Sequence, residues 1–168
     1  EDFDSEDYFA TTTTSQTEGF SVPCMMTEQL VVPFGNKKFY YPYLTLGRAY
    51  SGKKSMVVVN SKKMEGKKLY VALPKVTMPV KDLQLSFMMY NSDLRQSVSV
   101  GVMTDPYDST TIEEVGRVRA ALQNEWLNYV VTLEKYEGEG EHIVIALNDD
   151  CVSDGEFYID DVVVEVLN

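Results

Sequence analysis

The chain has one histidine, one tryptophan, two cysteines and only 15 basic residues among 168. Each scarcity excludes something. With His142 as the sole imidazole, no histidine-pair zinc site can form, and a serine–histidine–acid triad would rest on one side chain beside Ile143 in an expected strand. No G-x-S-x-G elbow occurs, and neither Cys24 nor Cys151 stands in a redox or thiol-catalysis motif. These two cysteines lie far apart, so one bridge and two buried thiols are both open. No apolar run approaches the roughly 18 residues of a membrane span, and no membrane insertion is expected of this segment.

Acidic residues number 26, and the net charge of −11 repels phosphate backbones, so nucleic acid is not an expected partner. Lysines do pair up, at Lys53/Lys54, Lys62/Lys63 and Lys67/Lys68. Charged rims of this kind guard strand edges against aggregation, and that is their expected role here. So many carboxylates offer pairs for glycoside hydrolysis, but separation is a property of the fold, and an acidic surface is the simpler account.

What the chain does have is alternation. Residues 1–19 are acidic and then threonine-rich through Thr11, Thr12, Thr13 and Thr14, and read as an N-terminal strand followed by a loop or linker. The first residue is Glu1 and no signal peptide precedes it, so the chain is expected to be one module of a longer protein. From Phe20 to the end, short β-branched and aromatic segments alternate with Gly, Pro, Asn, Asp and Lys clusters, and no helical period persists. Period-two alternation places Leu83, Leu85, Phe87 and Met89 on one face, then Val98, Val100 and Val102, then Leu127, Tyr129, Val131 and Leu133. It recurs at Ile143, Ile145 and Leu147 and at Val162, Val164 and Val166. Further strands are predicted near Val31 and over 39–44, 56–60, 69–73 and 111–119. About ten strands with turn signals every 8 to 12 residues predict an all-β fold, a two-sheet antiparallel jelly-roll sandwich over residues 20–168.

Two loops come close to known ion sites. Residues 47–54, GRAYSGKK, nearly match the phosphate-cradling loop, whose backbone N–H groups and lysine hold phosphate. Lys54 stands where the motif needs a hydroxyl, and a strand follows where it needs a helix. Residues 150–161 have the length of a calcium loop, yet Val152 replaces a ligand, so this segment reads as a loop in which Gly155 supplies a turn. Asp160 carries more information: alternation puts it on the face of Val162, Val164 and Val166, the expected buried one. A buried carboxylate needs a proton, a cation, backbone N–H donors or a metal, and Ca²⁺ suits hard oxygen ligands.

Several segments match a family. Residues 100–118 (VGVMTDPYDSTTIEEVGRV), then Glu125 and Trp126 with Tyr129, then 136–147 (YEGEGEHIVIAL) and 157–166 (FYIDDVVVEV) resemble the jelly-roll domains called cleaved-adhesin or choice-of-anchor J, relatives of the MAM-like modules on Bacteroidetes cell surfaces. EDFD (1–4) and VPCM (22–25) are similar to that family's N-terminal part, except that Met25 stands where Trp is frequent. The resemblance implies an exported, extracellular or cell-surface module that binds glycans or host proteins and carries out no catalysis. It also implies a structural Ca²⁺ held by Asp4 and Asp160, with Asp2 and Asp161 as the next ligands.

Two functions follow as expectations. A carbohydrate-binding module would stack sugar rings on tyrosines in loop-like segments, for which Tyr40, Tyr41, Tyr43, Tyr50 and Tyr107 are the candidates. A protein-binding adhesion or spacer module would use a flatter patch and leave those rings packed. Trp126, opening an apolar strand, reads as structural.

Overall fold

The computed structural model describes residues 3–4, 25–27, 30–32, 38–40, 42–60, 69–92, 94, 97–147 and 155–167. Among them the chain forms strands joined by loops and two short 3₁₀ turns, Val80–Asp82 and Ser109–Thr111. The strands are β1 (Leu30–Val32), β2 (Lys38–Tyr40), β3 (Tyr43–Thr45), β4 (Ser55–Asn60), β5 (Tyr70–Ala72), β6 (Leu83–Asn91), β7 (Ser97–Met103), β8 (Glu113–Arg119), β9 (Trp126–Thr132), β10 (His142–Leu147) and β11 (Gly155–Val166). Pairing is antiparallel throughout.

A five-stranded sheet runs β3-β4-β11-β6-β9 and a four-stranded sheet runs β5-β10-β7-β8, with β1 and β2 as a separate hairpin. The all-β, two-sheet sandwich expected from the periodicity is the fold. Leu83, Leu85, Phe87 and Met89 of one sheet meet Val98, Val100, Val102, Ile143 and Ile145 of the other in a single core. Alternation works because successive side chains leave a strand on opposite faces, so one apolar period of two commits a whole face to the interior.

The last strand departs from expectation in three ways. Gly155 is no turn: it opens β11 and pairs with Asn60. A bulge lies between Asp160 and Val163, where Asp161 takes a left-handed φ of 46°. An extra residue in one strand shifts the side-chain parity beyond it. Phe157, Ile159 and Val162 therefore all fill the core, while Asp160 pairs with Met88 on the opposite, outer face. Asp160 is buried as expected, but not on the face of Val162. Finally, the β4 ladder stops at Ile159, so among the described residues the far half of β11 is flanked by β6 alone, and Val164 and Val166 are exposed instead of buried.

The N-terminal residues 3–4 belong to the packed domain. Phe3 is fully buried in the main core, and the Asp4 carboxylate accepts the backbone N–H groups of Lys53 and Lys54. The boundary drawn at residue 19, both cysteines, and lysines 62, 63, 67 and 68 lie outside the described residues.

Candidate functional site

The outer face of the five-stranded sheet carries aromatic side chains in register. Tyr43 pairs with Val57, Val57 with Tyr158, Tyr158 with Tyr90 and Tyr90 with Trp126. One cross-strand row thus holds four aromatic residues, and at about 4.8 Å per strand it spans roughly 19 Å. Its faces follow from parity: Leu44, Met56, Ile159 and Met89, each adjacent to a member of the row, point into the core.

The rings touch one another without being coplanar. Tyr90 lies 5.7 Å from Trp126 at 55° and 5.8 Å from Tyr158 at 89°. Tyr50, half exposed, arrives from the loop between β3 and β4 and sits 6.0 Å from Trp126 at 59°. Arg48, from the same loop, places its guanidinium carbon 3.9 Å from the Tyr90 ring centre and 5.1 Å from that of Tyr158. These are cation–π distances. The Tyr158 hydroxyl donates to Glu156 Oε2 at 2.6 Å, and burial, that bond and the Glu156 charge push its pKa up to about 12. Burial, and then Glu156, also raise Tyr43. Both phenols stay protonated in any physiological medium.

The loop that delivers Arg48 and Tyr50 is the one that nearly matches a phosphate cradle, and its N–H groups do cradle anions, those of its own chain. Asp160 Oδ2 accepts Tyr50 N–H at 2.8 Å and Ser51 N–H at 3.2 Å, and Oδ1 accepts Asp161 N–H at 2.9 Å. Asp4 Oδ1 accepts Lys53 N–H at 2.8 Å and Lys54 N–H at 2.9 Å. Asp161 takes the Ser51 hydroxyl at 2.6 Å. Gly52 is required between them: its φ is +57°, and a Cβ there would fall 1.4 Å from Asp4 Oδ2. The Ser55 hydroxyl closes the loop onto the Arg48 carbonyl. Burial raises the Asp160 pKa, with Asp161 adding to it, while the three N–H groups oppose. The Lys53 N–H, above all, lowers that of Asp4.

For the expected Ca²⁺ set, three of the four carboxylates thus meet one loop, and Asp2 lies outside the described residues. The groups facing Asp4 and Asp160 are N–H donors, and among the described residues no three acidic, histidine or cysteine side chains converge on one point. A cation would need the remaining lone pairs of Asp160 and Asp161 together with carbonyl oxygens to reach six to eight ligands.

Of the five tyrosine candidates, Tyr43 and Tyr50 lie on the outer face as described. Tyr40 lies in β2, and Tyr41 is outside the described residues. Tyr107 is exposed, but it belongs to the turn between β7 and β8 in the other sheet, where its N–H donates to Asp105. Sequence reasoning passed over Tyr90, Tyr158 and Arg48, and read Trp126 as structural; its ring packs against those of Tyr50 and Tyr90. A signal was present for Tyr90 and Trp126, each one residue out of phase with the apolar period of its strand, whereas Tyr158 is in phase with Val162, Val164 and Val166 and only the bulge after Asp160 puts it on the other face.

A concavity of about 780 Å³ lies elsewhere, lined by residues 76–81 and the glutamate-rich 134–141 segment. It adjoins the start of β6, seven residues and roughly 23 Å from Tyr90. Among the described residues no helix is long and apolar enough to cross a membrane.

No family model and no curated protein matches the chain. Solved structures do. The K2 cleaved adhesin domain of Lys-gingipain is 12% identical with a TM-score of 0.57, over 87% of this chain and 92% of that one. Its K3 counterpart from Porphyromonas gingivalis w83 is 12% identical with a TM-score of 0.53, over 72% and 78%. The arabinose-bound MgGH51 α-L-arabinofuranosidase is 8% identical with a TM-score of 0.58, over 97% of this chain but 26% of that one. At such identities the similarity is one of fold: this chain shares its two-sheet sandwich with cleaved adhesin domains and with one part of a larger sugar-bound enzyme.

Proposed function

We propose that this chain is a non-catalytic binding module of an exported or cell-surface protein, and that its ligand is a glycan chain stacked on the outer face of the five-stranded sheet. The observation that carries the reading is the register row from Tyr43 to Trp126, with Tyr50 against Trp126 and Arg48 over Tyr90 and Tyr158. Sugar rings present C–H faces that pack on aromatic rings, and hydroxyls that accept from arginine and tyrosine edges. The fold shared with cleaved adhesin domains is consistent with such a module. The Tyr50 and Trp126 rings, 59° apart, suit a twisted single chain more than a flat crystalline surface, while Tyr90 is buried beneath Arg48 and packs.

Trp126→Ala is expected to weaken glycan binding at least ~10-fold, as the loss of a central aromatic anchor does elsewhere. Calorimetry against the best ligand from a glycan array measures this. Unchanged affinity, or no array ligand for the wild type, sinks the reading. A protein partner is the second reading, supported by Val130 and Val163, both exposed on this same face at the level of Ser86. A module of that kind would show no array ligand and would lose its partner on Val163→Asp.

The same proposal includes a structural Ca²⁺ at Asp160 and Asp161 with Asp4, supported by the convergence of these carboxylates on one loop. Chelation should then lower the melting temperature, because an ion held only by the folded state stabilises it. Equal melting with Ca²⁺ and with chelator counts against the ion.

A further inference from the structure

We propose that the outer-face site selects acidic glycans, with Arg48 pairing the carboxylate of a uronic acid residue while neighbouring sugar rings stack on Trp126 and Tyr50. This rests on the glycan reading above and adds the ligand's chemical class.

The chain holds 26 acidic residues, yet among the described residues no ion pair involves Arg48. Arg48 is an exposed residue whose guanidinium carbon lies 3.9 Å from the Tyr90 ring centre and 5.1 Å from that of Tyr158, where it also lowers the pKa of the Tyr158 hydroxyl. The nearby carboxylate, Glu156, is engaged by the Tyr158 hydroxyl. The backbone is fixed on both sides of the arginine: the Ser55 hydroxyl holds its carbonyl, and Asp160 holds Tyr50. A cation with no ion-pair partner among the described residues is therefore presented beside the Tyr50 and Trp126 rings. A planar fork of donors matches a carboxylate through two parallel bonds, and a charge-assisted bond is roughly twice as strong as a neutral one to a sugar hydroxyl.

The net charge of −11 does not oppose this at contact range, because exposed charges more than about 8 Å away are largely screened at physiological salt. Glu156 does act locally. It accepts from the Tyr158 hydroxyl, and Arg48 lies over Tyr158 as well, so a bound carboxylate would meet Arg48 on the side away from Glu156, towards Tyr90 and Trp126.

The test uses matched ligands on the whole chain: cello-oligosaccharides against their C6-oxidised, uronate forms, and oligogalacturonates against their carboxyl-reduced forms. By calorimetry at constant ionic strength, the uronate form of at least one pair should bind ~10-fold or more tightly than its neutral twin, the ratio worth one charged pair. Arg48→Gln should bring that ratio to about one, whatever it does to the neutral form, and an unchanged melting temperature shows that the variant is folded. Arg48→Lys should keep only part of it, since a point charge lacks the fork. If the wild type binds neutral and acidic forms alike, or if Arg48→Gln leaves the ratio intact, this proposal falls and the glycan reading stands. If neither series nor any glycan on an array binds, both fall together.

Discussion

Phe3→Ala should lower the free energy of unfolding by about 3–5 kcal/mol, the cost of deleting a buried aromatic and leaving a cavity. Phe3 has no exposed surface and packs in the main core although it is two residues from the start of the chain. It also holds a φ of +58°, a conformation that a bulky side chain adopts only when its surroundings compel it. Burial of the ring is what compels it. For a chain of this size the loss corresponds to a fall in melting temperature of roughly 6–20 °C. Deleting residues 1–4 should cost at least as much, because the Asp4 acceptors for Lys53 and Lys54 go with the ring. Urea unfolding followed by tryptophan fluorescence gives the number, since Trp126 is the only tryptophan. A change under about 1 kcal/mol would mean that the ring is not part of the core.

Asp160→Asn should cost about 2–4 kcal/mol, at about 1–3 kcal/mol for each buried donor left without an acceptor. Asparagine keeps the shape but turns one acceptor into an NH₂ group, so N–H meets N–H either at Asp161 or at Tyr50 and Ser51. Because this carboxylate anchors the loop that carries Arg48 and Tyr50, affinity for any outer-face ligand should drop with stability.

The pH dependence has a definite sign. Burial raises the folded pKa of Asp160 above its ordinary 3.8, so the folded state binds that proton more tightly than the unfolded one. Its contribution is then fully present below 3.8 and declines as pH rises from there to the raised folded value. Asp4 behaves oppositely, with a lowered pKa whose contribution is lost as pH falls below 3.8. The stability gap between wild type and Asp160→Asn should accordingly narrow as pH rises through the window above 3.8. Unfolding in chelator at a series of pH values measures it, and a gap that widened there would reverse the assignment.

Period-two patterning was sufficient for the strands and for most of the core because it is a local property. Leu83 to Met89 and Val98 to Val102 could face only one way once one face was apolar. The same logic failed at Asp160, where one extra residue in β11 exchanged the faces on either side of it. No composition signal marks a bulge whose left-handed residue is Asp161 and not a glycine. Asp160 was nonetheless legible as a carboxylate that would need partners, and of the possibilities open in the sequence the structure supplies backbone N–H groups of a glycine-containing loop.

Composition and alternation by themselves determined an all-β sandwich, the exclusion of a histidine-pair metal site, and one carboxylate that burial would force into partnership. Tertiary structure alone decided which aromatic residues stand together. Tyr43, Tyr158, Tyr90 and Trp126 come from four strands widely spaced along the chain, and become neighbours through the pairing order β3-β4-β11-β6-β9. A strand's own sequence fixes which face each side chain takes. Which residue lies across from it depends on register with a distant strand, and that is set by the packing of the whole core.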